Sequence, residues 1–168
     1  GGALFDSMTV RENVMFPLTM FANLDPVQME HRVQECLQRV ELGDSGQFFP
    51  AEISGGMQKR VALARSIVMR PRFLFCDEPN SGLDPQTAIV IDTLIRELTH
   101  EYETTTVVVS HDMNSVIEIG EHIHFVHDGD IPWTGDSADI LRAELPALEE
   151  FVYASDLMKD VRKKMLGL

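Results

Sequence analysis

Two acidic residues, Asp77 and Glu78, directly follow the apolar run Phe73–Cys76. A short, continuous apolar run predicts a strand buried on both faces of a parallel sheet, and polar residues just past such a strand lie at the ligand crevice. Because neighbouring strand residues point in opposite directions, the two carboxylates can perform different tasks. Asp77 could hold Mg²⁺ through water, and Glu78 could orient or deprotonate an attacking water. The alternative is that these residues only end a strand and begin a turn.

A histidine follows the second apolar run in the same way. Thr105–Val109 predicts another buried strand, and Ser110, His111 and Asp112 come next, before a predicted helix. This position favours a site role for His111. Two further histidines, His122 and His124, would share one face of a later strand, but metal binding needs a third ligand nearby, so we assign no metal site to them.

Two glycines lie at a predicted helix start, in Ser54-Gly55-Gly56. Glycines leave the backbone N–H groups of the first turn open, and the helix dipole adds partial positive charge there, so the position suits a phosphate or another oxyanion. The alternative is a plain serine N-cap with a flexible lead-in, which for this tripeptide alone is the more common case.

The first 70 residues predict helices only. A capping-box pattern begins a helix that runs from about Val10 to Met20, and Asp25-Pro26 begins a second one that ends near Gly43. The third helix follows Gly56 and stops at Pro71. These helices form a subdomain attached to the rest of the chain.

Strands and helices alternate after Pro71, which predicts an α/β core with a parallel sheet. Asp84-Pro85 caps a helix whose apolar residues fall at helical spacing, a further helix covers Met113–Ile119, and the turn at Asp128-Gly129 joins two short strands, the first over 122–126. The stretch from Ser137 is helical again. It ends in a basic tail of Lys159, Arg162, Lys163 and Lys164.

Charge and composition exclude several classes of protein. The 168 residues carry a formal net charge of −13, which argues against nucleic-acid binding because contacts with phosphate need a basic surface. No apolar run approaches the roughly 18 residues of a membrane span, and the start has no secretory signal pattern. The two cysteines, Cys36 and Cys76, predict reduced thiols and a cytoplasmic protein.

Four segments in order resemble the motifs of the ATP-binding subunit of ABC transporters. Residues 53–60 resemble its signature motif, 73–79 its Walker B strand, 81–84 its D-loop and 110–112 its H-loop. The resemblance extends to about Asp136. It implies a RecA-like P-loop NTPase core with an ABC-type helical subdomain, divided as helical subdomain 1–71, α/β core 72–136 and C-terminal extension 137–168.

The resemblance also implies roles for these residues and for the partners of the protein. Two ATP-binding subunits would dimerise head to tail, as a homodimer, and bind a transmembrane permease. Asp77 would serve Mg²⁺ through water, Glu78 would be the catalytic base and His111 would hold the γ-phosphate of ATP. The signature residues would contact ATP held by the partner subunit; they are Ser54, Gly55, Gly56 and Met57. The D-loop would signal across the dimer, and its residues are Ser81, Gly82, Leu83 and Asp84.

The phosphate-binding loop of such ATPases is missing from this sequence. No G-x-x-x-x-G-K-[ST] pattern occurs, and the nearest candidate, Gly55 to Lys59, has the wrong spacing. In the family this loop lies upstream of the helical subdomain, and the chain does not begin with Met. We therefore expect a C-terminal portion of a longer protein that does not hydrolyse ATP unaided.

Met57 suggests a subtype, because the family most often has glutamine at this end of its signature. With residues 2–10, it is similar to Mla-type (Mce-associated) ATPases, which implies lipid trafficking and a peripheral location on the cytoplasmic side of the inner membrane. Phe5, Met8 and Phe16 lie where the family docks its permease, although Phe16 is better explained as subdomain core.

Two other functions remain open. A non-catalytic ABC-type subunit, which contributes only a signature face to a heterodimer, would have a sequence much like this one. Soluble ABC ATPases that act in DNA repair or translation are less compatible, because basic surfaces or long insertions are expected there and this chain has neither.

Overall fold

The computed structural model describes residues 3–153 as two compact units, one ending at Ser110 and the other beginning at His111. The units are defined by packing, so they do not test the divisions predicted after residues 71 and 136. Within 3–153, every helix is too short or too polar to cross a membrane.

The first unit contains four helices, a short 3₁₀ turn at 50–52 and a two-stranded parallel sheet. The elements are α1 (Val10–Phe21), α2 (Pro26–Arg39), α3 (Gly55–Ile67), β1 (Phe73–Asp77), α4 (Pro85–Glu101) and β2 (Thr105–Val109). In the sheet, Phe73 lies opposite Thr105 and Asp77 lies opposite Val109. The predicted order of helices and strands and the parallel α/β arrangement are confirmed.

The predicted helix starts are present with the expected hydrogen bonds. At α1, the Glu12 N–H donates to Thr9 Oγ1 at 3.2 Å and the Thr9 N–H donates to Glu12 Oε2 at 2.8 Å, which completes a capping box. At α2, the Gln28 N–H donates to Asp25 Oδ1 at 2.9 Å, and Pro26 occupies the first turn.

The end predicted for α2 at Gly43 is wrong, because the helix stops four residues earlier, at Arg39. Glu41 takes a left-handed backbone with φ +59°, and its N–H donates to the Gln38 carbonyl at 3.0 Å. The Leu42 N–H donates to the Leu37 carbonyl at 2.8 Å, which is the Schellman pattern. Glutamate therefore takes the position at which the sequence pattern favours glycine.

The core of this unit lies between α1, α2 and α3. Val10, Val14 and Leu18 on α1 and Val61 and Ala64 on α3 are all 0% exposed. Burying each of the larger of these side chains stabilises the fold by about 1.5–3 kcal/mol, since apolar area leaves water. Within the first unit, these helices support the loops that follow them.

The prediction that β1 and β2 are buried on both faces is wrong. Leu74 is 5% exposed, whereas its neighbour Phe75 is 74% exposed and Val109 is 57% exposed. A strand is buried on both faces only when layers pack against both. In the described chain, one face of the sheet meets the core and the other keeps large apolar side chains in contact with solvent.

The second unit contains α5 (Met113–Ile119), the antiparallel pair β3 (Ile123–His127) and β4 (Asp130–Gly135), a 3₁₀ turn at 140–142 and α6 (Pro146–Val152). The hairpin turn at Asp128 and Gly129 is confirmed, with φ +50° and +86°. β3 begins one residue later than predicted. Within residues 137–153, the predicted helical stretch forms these two short segments, and the predicted basic tail lies outside the described residues.

Candidate functional site

The two predicted carboxylates lie where β1 ends. Asp77 is the last residue of the strand and is exposed, while Glu78 is half-buried. The Glu78 N–H donates to the Val109 carbonyl at 2.9 Å, which extends the contact between β1 and β2 by one residue. This hydrogen bond fixes the point at which the chain leaves the sheet.

Glu78 has a left-handed backbone, with φ +47°. For a residue with a side chain, this conformation costs about 1–2 kcal/mol and is held by surrounding contacts. The predicted alternation of Asp77 and Glu78 as strand neighbours is therefore incorrect, because strand geometry ends at Asp77. The left-handed turn at Glu78 sets the directions of the two carboxylates.

The predicted phosphate-binding helix start is formed by Ser54 and α3. The Met57 N–H donates to Ser54 Oγ at 3.2 Å, so the serine is an N-cap, as the alternative interpretation expects. Gly55 is exposed and Gly56 is buried. A Cβ atom on Gly56 would lie 2.5 Å from Thr87 Cγ2, so only glycine allows α3 and α4 to approach this closely.

The predicted D-loop leads directly into α4. Gly82 has φ +78°, which suits glycine, and Asp84 caps the helix by accepting from the Gln86 and Thr87 N–H groups, both at 3.1 Å. Thr87 Oγ1 also donates to Asp84 Oδ2 at 2.5 Å. These hydrogen bonds, the Thr87 hydroxyl first, lower the pKa of the Asp84 carboxyl. Asp84 is therefore held ionised at neutral pH.

Lys59, for which the sequence pattern predicts no role, joins α3 to the loop after β1. Lys59 Nζ donates to the main-chain carbonyl of Glu78 at 3.1 Å. Lys59 lies four residues after Gly55, so the two share one face of α3. They line a cleft of about 400 Å³ together with Ser81, Gly82 and Leu83. The helical spacing from the glycine pair is the signal that could have identified Lys59.

A buried polar pair ties the D-loop region to α4. Asn80 Nδ2 donates to Asp92 Oδ1 at 2.7 Å, and the two residues are 9% and 4% exposed. Neither residue stands out from the sequence pattern, because a buried aspartate on the apolar face of a helix is recognised only from its partner.

His111 is exposed and is the first residue of the second unit, and its predicted role of holding the γ-phosphate of ATP stays a prediction. The next residue, Asp112, caps α5 by accepting from the Asn114 N–H at 2.9 Å. His124 Nδ1 lies 3.2 Å from Thr134 Oγ1 in the hairpin. Among residues 3–153, no group of three or more His, Cys, Asp or Glu side chains could hold a metal ion on its own.

Both cysteines are free thiols. Burial raises the pKa of Cys36 and of Cys76 to about 11. Because the thiolate is the reactive form, burial disfavours reaction of both cysteines at neutral pH.

Asp77 fits the way in which proteins bind Mg²⁺ together with a nucleotide. Mg²⁺ usually keeps several waters and takes one or two carboxylates plus substrate phosphates, rather than a complete set of protein ligands. A single exposed carboxylate at a strand end meets this need. Gly55, at the start of α3, is exposed, and a helix start of this kind suits a phosphate.

Comparison with known proteins defines the class. Residues 2–81 match the family model described as "ABC transporter". The chain resembles the ATP-binding cassette MJ0796, solved as a dimer in a post-hydrolysis state bound to ADP and Pi, with a TM-score of 0.71 and 32% identity over 81% of this chain and 60% of that chain. A second structure, of the dimeric form of the same bacterial ABC transporter cassette, matches with a TM-score of 0.71 and 33% identity over the same shares. The chain has the RecA-like P-loop NTPase fold of these cassettes, and residues 2–81 resemble an ABC transporter ATP-binding domain.

Particular relatives are methionine import ATP-binding proteins. MetN 1 of Pseudomonas fluorescens (strain Pf0-1) is 34% identical over 162 residues, which are 96% of this chain and 48% of the relative. MetN 2 of Pseudomonas aeruginosa (strain PAO1) is 34% identical over 154 residues, 91% of this chain and 46% of the relative. The chain thus spans about half the length of these relatives. Neither is named for lipid trafficking, so the subtype inferred from Met57 has no support here.

Proposed function

We propose that the complete protein containing this chain is an ATP-hydrolysing subunit of an ABC transporter. The observation that carries the proposal is that the predicted signature, Walker B and D-loop segments lie together in the first unit. The start of α3 packs on α4 at Gly56 and Thr87, and Lys59 donates to the carbonyl of Glu78. Gly55 and Lys59 line one cleft together with the D-loop. The match of residues 2–81 to the family supports the same function.

In this function Glu78 is the general base for an attacking water. The water oxygen forms a bond to the γ-phosphorus of ATP, the bond from that phosphorus to the bridging oxygen breaks, and Glu78 accepts the proton, which leaves ADP and phosphate. Asp77 would hold Mg²⁺ through water, and the ion, when bound with the nucleotide, would neutralise charge on the phosphates.

The signature residues act on ATP held by a second ATP-binding subunit in a homodimer. Ser54, Gly55 and Gly56 present the N-terminal end of α3 to the γ-phosphate, with Met57 beside them. Asp84 in the D-loop faces the dimer interface, and His111 holds the γ-phosphate. The dimeric state of the related cassette MJ0796 supports this assembly.

A transmembrane permease is the second partner, and it holds the protein at the cytoplasmic side of the inner membrane. For the cargo, we favour a small solute over a lipid, because the relatives reported above are named for methionine import. Identification of the permease that copurifies with the full-length protein separates the two cargoes. A lipid-trafficking permease would restore the subtype suggested by Met57.

The test is phosphate release by the full-length protein with ATP and Mg²⁺. We expect Glu78→Gln to lower turnover by roughly 10²–10⁴-fold, the usual contribution of a general base. Glu103→Gln is a matched control, because Glu103 is an exposed glutamate with a similar left-handed backbone, φ +49°, outside the site. Wild-type turnover in Glu78→Gln would remove Glu78 from the role.

The same assay separates the other candidate functions. A non-catalytic subunit, which contributes only a signature face to a heterodimer, would release no phosphate on its own in either form of Glu78. An ABC ATPase that acts on nucleic acid would show a salt-dependent affinity for DNA or RNA, which the net charge of −13 argues against.

A further inference from the structure

The contact between Lys59 and Glu78 joins a helix to the main chain of the proposed base. Lys59 Nζ donates to the Glu78 carbonyl oxygen at 3.1 Å, and the Ser81 N–H donates to the same oxygen at 3.2 Å. On its other side, the Glu78 N–H donates to Val109 at 2.9 Å. The peptide groups flanking Glu78 are thus held by the sheet, by the D-loop and by α3.

The backbone at Glu78 needs such support. Its φ of +47° is left-handed, and the following residue, Pro79, restricts the conformation of the residue before it and favours extended backbone there. Because the allowed directions of a side chain depend on the backbone φ and ψ, a relaxed backbone at Glu78 would point its carboxylate elsewhere. The hydrogen bond from Lys59 therefore bears on where the carboxylate lies.

The fold of α3 does not depend on this hydrogen bond. Val61, Ala64 and Val68, on and just after α3, are 0% exposed and anchor the helix in the core. A half-buried lysine that reaches from the edge of this helix to one carbonyl oxygen adds little to that packing. Its specific effect is on the loop that carries Glu78.

We propose that Lys59 is a positioning residue for Glu78, and that it links the start of α3 to the base. The inference rests on the proposed function, in which the start of α3 engages ATP held by the partner subunit. Gly55 and Lys59 lie one helical turn apart on one face, so a shift of α3 on engaging that ATP moves the ammonium group that holds the Glu78 carbonyl. Contact of α3 with the ATP of the partner subunit thereby adjusts the position of Glu78, the base that acts on the ATP of its own subunit.

The experiment compares Lys59→Met with Lys59→Gln in the full-length protein. Methionine keeps the apolar part of the side chain to about the position of Cε and removes the donor, whereas glutamine keeps an N–H donor at about that position. We expect Lys59→Met to lower kcat by about 10- to 100-fold with little change in KM for ATP, since a misplaced catalytic group costs rate rather than binding. Lys59→Gln should recover most of the loss. Arg39→Met is the control, because Arg39 joins α2 to α4 through Glu97 and Glu101 at 2.9 and 2.5 Å, away from the site.

A double-mutant cycle shows whether Lys59 acts through Glu78. In a Glu78→Gln background, Lys59→Met should have almost no further effect on kcat, because the base is already absent. Equal losses of kcat in both backgrounds would overturn the proposal. So would a loss that Lys59→Gln does not recover, or one that Arg39→Met reproduces.

Hydrogen exchange tests the positioning without any turnover. The Ser81 N–H shares the Glu78 carbonyl with Lys59, so its exchange should be faster in Lys59→Met and close to wild type in Lys59→Gln. Unchanged exchange in Lys59→Met overturns the positioning. If the wild-type protein releases no phosphate, the proposed function fails by itself, and the exchange result still decides whether Lys59 holds the loop.

Discussion

The helical part and the motif loops of the first unit are held by different forces. In α1 to α3, apolar side chains such as Leu18 and Val61 are 0% exposed, so packing holds these helices. In the loop over 77–84, by contrast, Asp77 and Asp84 are exposed, and hydrogen bonds to single main-chain groups fix the geometry. The packed helices supply stability, and the hydrogen-bonded loop keeps its carboxylates accessible for chemistry.

The largest loss of stability should come from the packed region. Leu18→Ala removes a side chain that is 0% exposed, and we expect the free energy of unfolding to fall by about 2–5 kcal/mol, because apolar contacts are lost and a cavity forms. Urea unfolding followed by circular dichroism measures it. Met20→Ala is the control, since Met20 is 57% exposed on the same helix and should change the value by less than about 0.5 kcal/mol. Equal effects of the two changes would contradict the contrast between packed and exposed positions.

This contrast also explains which features the sequence could predict. Helix starts depend on residues within one turn, so the caps at Thr9, Asp25 and Asp84 and the order of the elements followed from local pattern. The α/β class followed from alternation. The exposure of Phe75 could not be predicted in this way. A continuous apolar run shows that a strand can be buried on both faces, but it does not show which elements of this chain cover the strand.

Candidate site residues can be selected from the sequence by residue type, but their contacts cannot. Asp77, Glu78 and the glycine pair stand out as motifs, whereas the left-handed backbone of Glu78 and its bond to Lys59 depend on tertiary structure. Helical spacing places Lys59 on the same face as Gly55, but no local pattern shows that its ammonium group donates to a carbonyl 19 residues away. Interactions of this kind appear only when the elements are placed together.

The contact between α3 and α4 at Gly56 should contribute less to the free energy of unfolding than the packed core does. Gly56→Ala would place a methyl group 2.5 Å from Thr87 Cγ2, and Thr87 is β-branched and fixed by its hydroxyl bond to Asp84. We expect a loss of about 1–3 kcal/mol in the free energy of unfolding. Thr87→Ser removes the methyl group and keeps the hydroxyl, so it should rescue Gly56→Ala.

Gly55→Ala is the matched control for this junction. A Cβ atom there would lie 3.9 Å from Leu83 Cδ2, an ordinary contact, so the substitution should leave stability unchanged or raise it slightly through helix propensity. A loss as large as that of Gly56→Ala, or a failure of Thr87→Ser to rescue it, would show that the close approach of α3 to α4 is not the cause.

The smallest effect lies in the loop itself and depends on pH. The hydrogen bond from the Thr87 hydroxyl, followed by backbone N–H groups, lowers the pKa of Asp84 in the folded state. The stability that this group contributes is therefore present above the ordinary aspartate pKa of about 3.9 and is lost as the pH falls through the lower folded value. Asparagine caps helices about as well as aspartate, so Asp84→Asn should have nearly wild-type stability at pH 7 but a weaker dependence on acid.

Urea midpoints between pH 7 and pH 3 measure this, with Asp44→Asn as control because Asp44 is exposed and is not a helix N-cap. Parallel curves for wild type and Asp84→Asn would mean that the geometry of the cap, and not the ionised carboxylate, stabilises the start of α4.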